Sequence, residues 1–321
     1  MRTTATIRPL LSQTCSEYAS NLSGQFMGLE VLPPSMEDSQ TGTFSRLVIE
    51  NVTSSTGTGR RAAGAGYERT ESTFEETNFS TKEYGLEEPL DDSEAERYSE
   101  YLDAEREIAN TVTFKVARLL EQRIATQVFN ATTFSGYTGA VSTEWSTAST
   151  ANPYNDVQDA ILTLKTQMGG ALGNSELCLA VSEKVFRNMV KTTAIQNKIM
   201  GGSGSMADEV STRHMIGADR LAAILGIDKV FYSPAQAKNA AGTLADVWDD
   251  EYALLYFRST GPNLREVQVG RTFMWNEAGN PYTVETYRDE PIRSEVIRVR
   301  QHTDENVFTP MAGYLFSNIT T

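Results

Sequence analysis

The chain has 321 residues and a mass of 35.4 kDa, enough to bury a sizeable core without disulfide or metal staples. Its 42 acidic and 28 basic side chains give a formal net charge of −14, the wrong sign for a protein whose main task is to bind nucleic-acid phosphates. Two cysteines and two histidines exclude a disulfide framework and a Cys/His zinc cluster. Because no secretory signal or long apolar run is present, we expect a soluble protein of a reducing compartment.

The first 42 residues are predicted to form an arm. A weak helical pattern runs from Ile7 to Ala19, and Pro33 and Pro34 then favour extended chain. An arm of this kind needs a surface on which to lie.

Residues 43–86 are predicted to form a long β-hairpin. Two runs rich in β-formers, TFSRLVIENVTSS and TESTFEETNFSTKEYGL, flank a glycine-rich tip, TGTGRRAAGAG. Two strands alone offer too little core to be stable, so the hairpin implies a partner surface.

A long helix is predicted after Pro89. Asp91, Asp92 and Ser93 offer N-cap oxygens, and apolar residues then recur three or four positions apart as far as about Phe129. The part from Asp103 onward has a length of about 40 Å at the α-helical rise. Such a helix is predicted to be a structural spine.

The remaining chain divides at a polar loop over 130–155. Short apolar runs at 177–182 and 229–233, with helical patterns between them, predict a small α/β sheet. The β-rich runs 267–275, 282–288 and 294–302 predict an antiparallel meander. In the last run, Arg298 and Arg300 fall on one face and Ile297 and Val299 on the other.

Two glycine-rich segments loosely match motifs for chemistry. Gly57-x-Gly59 matches a phosphate loop, but no helix is predicted to follow it. Gly201–Ser205 matches a nucleophile elbow except at its last position, which is serine. We interpret both segments as flexible loops.

Isolated polar residues give no stronger indication of a catalytic or metal site. His214 and His302 each lack a neighbouring ligand, and the run Asp249, Asp250 and Glu251 is equally explained as a solvated turn. No catalytic residue, metal or cofactor is therefore expected.

Charge is distributed unevenly along the chain. Between Tyr67 and Glu107 there are fifteen acidic side chains and four basic ones. Half of this excess is explained as a solvated helix face. The rest suggests a head-to-tail contact between identical subunits, in which a basic hairpin tip meets an acidic hairpin base. The predicted tip residues are Arg46, Arg60 and Arg61, and the predicted base residues are Glu75, Glu76, Glu87, Glu88, Asp91 and Asp92.

Several segments together resemble the major capsid proteins of tailed bacteriophages, which share the Hong Kong 97-like fold. They include YASNLSGQFMGLEVLPPSMEDSQTGTF, TKEYGLEEPLDD, DAEREIANTVTFKVARLLEQRIA, WSTASTANPYNDVQDAI, DRLAAILGIDKVFYSPAQA, VGRTFMWNEAGNPYTVETYRDEPIRSEVIRVR and VFTPMAGYLFSNI. Each segment alone is a weak pattern, but they occur in the family's order across nearly the whole chain.

The resemblance implies an α+β fold with five parts. These are an N-arm (1–42), an E-loop hairpin (43–86), a P domain with a spine helix (87–149), an α/β A domain (150–262) and a return to the P domain (263–321), whose last strand is a candidate for the A domain. It also implies a virion protein that assembles in the host cytoplasm as hexamers and pentamers around double-stranded DNA, without sequence-specific binding. A portal, a separate scaffolding protein and a decoration protein are the implied partners.

Two departures from the family refine this expectation. The predicted tip carries Arg60 and Arg61 and no lysine, so the lysine–asparagine cross-link of some family members is not expected. The arm starts at Met1 without a long scaffolding segment, which favours a separate scaffolding protein.

Two other classes of function compete with the phage-head interpretation. An encapsulin-type nanocompartment shell would have the same fold and enclose enzymes instead of DNA. A soluble acidic hydrolase would use Ser203 or the Asp249/Asp250 pair and would lose turnover when these residues are replaced.

Overall fold

A computed structural model describes residues 5–48, 59–61, 63–67, 69, 74–98, 103–169, 175–199, 217–238, 242–261, 263–276 and 279–320. Its helices of four or more residues are α1 (Pro9–Asn21), α2 (Gly28–Val31), α3 (Asp92–Tyr98), α4 (Ala104–Val128), α5 (Pro153–Gln167), α6 (Glu183–Lys191), α7 (Thr193–Ile199) and α8 (Ala218–Leu225).

The strands come from every part of the chain. In chain order they are β1 (Thr6–Ile7), β2 (Pro34–Glu37), β3 (Thr41–Leu47), β4 (Phe74–Ser80), β5 (Lys82–Asp91), β6 (Thr138–Ala140), β7 (Glu176–Ser182), β8 (Lys229–Ser233), β9 (Gln236–Lys238), β10 (Leu244–Asp246), β11 (Ala253–Arg258), β12 (Gly270–Trp275), β13 (Thr283–Asp289), β14 (Ser294–Val307) and β15 (Gly313–Ser317).

A six-stranded sheet is organised around β14. Its order is β1-β13-β14-β12-β2, and β5 also pairs with β14. The predicted meander is therefore wrong in its pairing: β12 and β13 each pair with β14 and not with each other. The physical reason is the length of β14, which has 14 residues whereas β13 has 7. Strand β13 pairs with residues 294–300 of β14, and β12 pairs with residues 303–307.

A five-stranded sheet, β6-β15-β11-β7-β8, forms the second layer of the fold. Strands β7 and β11 are buried over nearly their whole length, since the helices α5, α6 and α8 contribute to the same apolar cluster. The predicted strands at 177–182 and 229–233 are confirmed to within one residue. The last strand, β15, lies in this sheet beside β11.

The long helix α4 begins later than predicted. Its N-cap is Asp103, whose side chain accepts a hydrogen bond from Arg106 N at 3.3 Å. Asp91 instead accepts from the backbone N (2.8 Å) and Oγ (2.5 Å) of Ser93, at the start of the separate short helix α3. Two capping signals occur in this segment, and the long helix uses the second, which directly precedes its buried face.

The arm lies on its own chain. Helix α1 packs on α4, and Cys15 is buried in one cluster with Val112, Val116 and Ile297. After Pro33, strand β2 pairs in parallel with β12, which confirms the predicted extended chain. The same subunit therefore supplies the surface that the arm needs.

The hairpin is shorter at its base than predicted. Strands β3 and β4 pair from Thr41↔Ser80 to Leu47↔Phe74. The chain then turns at Thr81, and residues 82–91 join the six-stranded sheet. The predicted second strand, which ran to Leu86, is thus two strands in different sheets. Much of the predicted tip (49–58, 62, 68 and 70–73) lies outside the described residues.

Candidate assembly surfaces

The base of the hairpin is held to the six-stranded sheet by four phenylalanines. Phe79 stacks on Phe273 with ring centroids 4.6 Å apart, and Phe44 meets Phe308 edge-on at 5.1 Å. This cluster is separate from the two larger apolar clusters of the subunit. It gives the two-stranded ribbon the core that two strands alone lack.

Arg46 lies within the paired part of the hairpin and not at its tip, which corrects its predicted position. It is opposite Glu75 in the strand register, and its Nε donates to Glu75 Oε2 at 3.0 Å. Its guanidinium also donates to the carbonyl oxygen of Phe308. Arg46 therefore ties the hairpin to its own subunit.

Arg60 and Arg61 are exposed in the described part of the tip. Arg61 Nε donates to the carbonyl oxygen of Ala65 at 2.6 Å, and its guanidinium lies 5.0 Å from the centre of the Tyr67 ring. Tyr67 is itself 75% exposed. The tip thus presents two arginines and an aromatic ring on its surface.

Most of the predicted acidic base already has cationic partners in the same chain. Asp92 receives two hydrogen bonds from Arg288, at 2.5 and 2.6 Å, and these lower the pKa of its carboxyl group. Lys115 Nζ lies 2.6 Å from Glu88 Oε2. Glu75 is paired with Arg46, as described above. Glu76 is exposed and lies opposite Ser45.

Glu87 belongs to a ladder of charges on the outer face of the six-stranded sheet, the face opposite α4. Arg298 donates to Glu87 at 2.9 Å, and Arg300 donates to Glu285 at 2.7 Å. Glu285 also lies 3.6 Å from Arg298, and Glu83 lies 3.5 Å from Arg300. The predicted alternation along β14 is confirmed, because Ile297 and Val299 pack into the cluster beneath α4.

Helix α4 carries a buried carboxylate that is not among the predicted site residues. Glu121 is 2% exposed and accepts hydrogen bonds from Met27 N at 2.9 Å, Gly28 N at 2.7 Å and Trp248 Nε1 at 2.6 Å. In the sequence, Glu121 lies four residues before Ala125 and four after Ala117, on the apolar face of α4. A charged residue in that position is the pattern from which its burial could have been predicted. Glu121 joins the arm, the long helix and the loop before β11.

The other candidate residues have structural contacts. His302 packs edge-on to Trp275 at 4.8 Å. Asp250 accepts from Ser182 Oγ at 2.5 Å and pairs with Lys184 at 3.0 Å, while Asp249 accepts from the backbone N of Glu251. The motif Gly201–Ser205, with Ser203, and His214 lie outside the described residues, as do Gly57 and Thr58.

The described part of the chain contains no group of three or more His, Cys, Asp or Glu side chains placed to hold a metal ion. Cys15 and Cys178 are both buried and free, and burial raises the pKa of the Cys178 thiol to about 12. Within the described ranges, every helix is too short or too polar to span a bilayer.

No family model matches the sequence. No curated protein matches it either. Solved structures do match the fold. A phage-related protein from Bordetella bronchiseptica RB50 is 19% identical, with a TM-score of 0.71 over 98% of both chains.

Two assembled particles are also similar in fold. The capsid of cyanophage P-SCSP1u is 10% identical, with a TM-score of 0.57 over 89% of this chain and 86% of that one. A virus-like particle from Pyrococcus furiosus is 11% identical, with a TM-score of 0.55 over 96% and 98% of the two chains. The chain therefore has the α+β, Hong Kong 97-like fold of tailed-phage capsid proteins.

Proposed function

We propose that the protein is the structural major capsid protein of a tailed phage, assembling as hexamers and pentamers into an icosahedral shell around double-stranded DNA. The observation that carries this proposal is the extent of the fold likeness, which includes the arm, the hairpin and both sheets and covers 98% of the chain in one comparison. The excess of acidic residues agrees with it, because a net-negative wall would not hold packaged DNA tightly.

The proposed division of the chain follows the family. Residues 1–42 are the N-arm, 43–86 the E-loop, 87–149 the P domain, 150–262 the A domain and 263–321 the return. The pairing of β5 with β14 supports moving the end of the E-loop from residue 86 to about residue 81. The partnership of β15 with β11 supports placing the last strand with the A domain.

The contact between subunits is proposed to use the hairpin tip. Arg60 and Arg61 would bind an acidic surface of the neighbouring subunit, and exposed Glu76 is better available for this than Glu88 or Asp92, which have cations of their own. Without a lysine in the tip, the contact would be noncovalent.

This contact is tested by charge reversal at the tip. The double variant Arg60→Glu/Arg61→Glu is expected to stop assembly while the circular dichroism spectrum of the subunit stays unchanged. Arg60→Lys/Arg61→Lys, which keeps the charge, is the matched control and is expected to assemble. Normal shells from the charge-reversed variant would contradict the contact.

Deletion of residues 55–65 tests the hairpin assignment itself. The deletion removes the tip and leaves strands β3 and β4 with their phenylalanine cluster, so the subunit is expected to fold and assembly to fail. Normal shells from the deleted chain would contradict the role of the hairpin.

The shell proposal is tested by negative-stain electron microscopy of the purified chain, expressed with and without neighbouring genes. Shells several tens of nanometres across, or hexamers and pentamers, are expected. A monomer that never assembles under either condition would contradict the proposal. The proposed partners in the head are a scaffolding protein, a portal and a decoration protein, and the proposed location is the virion after assembly in the host cytoplasm.

An encapsulin-type nanocompartment is the second candidate, because such a shell would have the same fold and would differ in what it encloses. The contents of the shell decide between the two: DNA supports the phage head, and a co-purifying enzyme supports the nanocompartment. Neither candidate is an enzyme. A hydrolase activity of the purified chain that disappears in Asp250→Asn would therefore contradict both.

A further inference from the structure

A groove lies at the C-terminal end of the long helix α4. It has a volume of 730 Å³, and its walls come from the end of α4, the residues 129–132 that follow it and the segment 246–252. Two stretches of the chain that are distant in sequence therefore build one concave surface on the subunit.

The groove carries negative charge that its own chain leaves unbalanced. Asp246 and Asp249 are exposed in its wall, and the ion pairs among the described residues include neither of them. Their hydrogen bonds come from neutral donors, the side-chain amide of Gln236 at 2.9 Å and a backbone N–H at 3.0 Å. Asp250, the third aspartate of the groove, is paired with Lys184. Of the described residues, those that line the groove include no lysine, arginine or histidine.

The end of α4 adds to this negative potential. The helix has 25 residues and no basic side chain in its last turn. Because aligned peptide dipoles place a partial negative charge at a helix C-terminus, this end of α4 attracts cations. Tyr252, which is half-buried, also lines the groove. Carboxylates beside an aromatic ring are a favourable environment for a guanidinium group, so the groove suits arginine.

The hairpin tip has the complementary chemistry. Residues 57–67 include two charged side chains, Arg60 and Arg61, and both are exposed. The guanidinium group of Arg61 contacts the carbonyl oxygen of Ala65 and the ring of Tyr67, which are both in the tip itself. In the part of the chain that the structure describes, no ion pair includes either arginine. The tip thus offers two cations that lack an anionic partner in their own subunit.

We propose that the groove at the end of α4 receives the hairpin tip of a second copy of this chain, with Arg60 and Arg61 against Asp246 and Asp249. The tip of the same chain is not among the residues that line the groove, so the occupant comes from another copy. Because tip and groove are different surfaces, the contact is head-to-tail, and its repetition closes a ring when the rotation between copies permits. This inference rests on the proposed function and names the surface that receives the tip.

The groove suits two arginines better than Glu76 does. Glu76 is one exposed carboxylate on β4, opposite Ser45 in the strand register. The groove combines two carboxylates with a helix C-terminus and concave walls. Opposite charges attract more strongly where the surrounding walls exclude water, so the contact in the groove is expected to be the stronger one.

Charge exchange between the tip and the groove tests the proposal. The groove variant Asp246→Arg/Asp249→Asn makes the groove less negative, and the asparagine keeps an oxygen that accepts from Glu251 N. In the full-length chain this variant alone is expected to stop shell formation, like the tip variant Arg60→Glu/Arg61→Glu. A chain that combines both variants is expected to form shells again, as counted by negative-stain electron microscopy.

Glu76→Arg combined with the tip variant is the matched control, and it is expected to form no shells. Shells from this control would overturn the inference. Absence of shells from the chain with tip and groove exchanged would also overturn it, and the proposed function would be unaffected if the unchanged chain assembles. An unchanged chain that never assembles would contradict the proposed function and this inference with it.

Photo-crosslinking gives a second test if the groove variant does not fold. Benzoylphenylalanine in place of Tyr67 keeps an aromatic side chain in the tip. After irradiation of particles assembled from isotope-labelled and unlabelled chains, mass spectrometry is expected to find this residue joined to peptides covering 125–132 or 246–252 of another copy. Crosslinks confined to other peptides, or to a single chain, would overturn the proposal.

Discussion

The two large sheets of the subunit use charge in opposite ways. In the five-stranded sheet, β11 is buried at every residue, from Ala253 to Arg258. The two strands beside it, β7 and β15, are largely apolar. In the six-stranded sheet, β14 buries Ile297 and Val299 on one face and carries Arg298 and Arg300 on the other. A sheet covered on both faces needs apolar side chains throughout, whereas a sheet covered on one face can carry a ladder of ion pairs.

This difference teaches where stability and specificity lie in the subunit. Apolar burial supplies most of the free energy of folding, and it is concentrated around the five-stranded sheet. The ion pairs of the six-stranded sheet join strands that are also paired through their backbones, since Glu87 of β5 and Glu285 of β13 both contact arginines of β14. Substitutions in the two sheets should therefore change the free energy of unfolding by different amounts.

The largest effect is expected in the five-stranded sheet. Leu255 is fully buried in β11, and Leu255→Ala is expected to reduce the free energy of unfolding by about 3 kcal/mol, because it leaves a cavity. Urea denaturation of the dissociated subunit measures this. Leu162→Ala, at a leucine that is 64% exposed, is the control and is expected to change stability by less than about 0.5 kcal/mol.

The second-largest loss of stability is expected from a substitution at a close backbone contact in the six-stranded sheet. A Cβ atom on Gly270 would clash with the carbonyl oxygen of Asn306, so Gly270→Ala must push β12 away from β14. We expect a loss of about 2 kcal/mol in the same denaturation assay. Gly24→Ala, where nothing lies within 4 Å of the added atom, should be neutral, and equal effects of the two would contradict the contact.

The charge ladder offers a matched pair of arginines. The side chains of Arg300 and Glu285 are only 15% and 11% exposed, and removing Arg300 leaves Glu285 poorly solvated. Arg300→Met is expected to cost about 2 kcal/mol. Arg298 donates to Glu87, and these side chains are 37% and 48% exposed; its distance to Glu285 is longer, 3.6 Å, and Arg300 still pairs with Glu285 when Arg298 is replaced. Arg298→Met should therefore cost less than about 1 kcal/mol. Thermal denaturation measures both losses. A larger loss in Arg298→Met than in Arg300→Met would show that burial does not determine how much each ion pair contributes to stability.

The smallest effect is expected where β5 faces the long helix. Lys115 and Glu88 form a pair whose side chains are 42% and 36% exposed, so Glu88→Gln is expected to cost less than about 0.5 kcal/mol. Raising the salt concentration to about 1 M should abolish even this difference, because exposed charges are screened. A difference that is insensitive to salt would mean that Glu88 acts through packing and not through charge.

Local patterns in the sequence predicted those elements that depend on near neighbours along the chain. The apolar runs of β7 and β8, the amphipathic spine and the proline-directed strand β2 all lie close to their predicted positions. The resemblance to tailed-phage capsid proteins gave the fold class, and the likeness to solved structures confirms it. The position of Arg46 was predicted incorrectly, because the strand register places it opposite Glu75 and not at the tip. The contacts between subunits stay predictions.

By itself the sequence determined the element types, the net charge and the division into arm, hairpin, spine and sheets, since these depend on periodicity and composition over short windows. Only the tertiary structure decided which strands are neighbours of β14, which acidic residues are neutralised by their own chain, and that Glu121 joins the arm to Trp248. These contacts join residues that are far apart in the chain, Glu121 and Trp248 being 127 positions apart. Such pairings depend on how all elements pack together, and no local pattern encodes them.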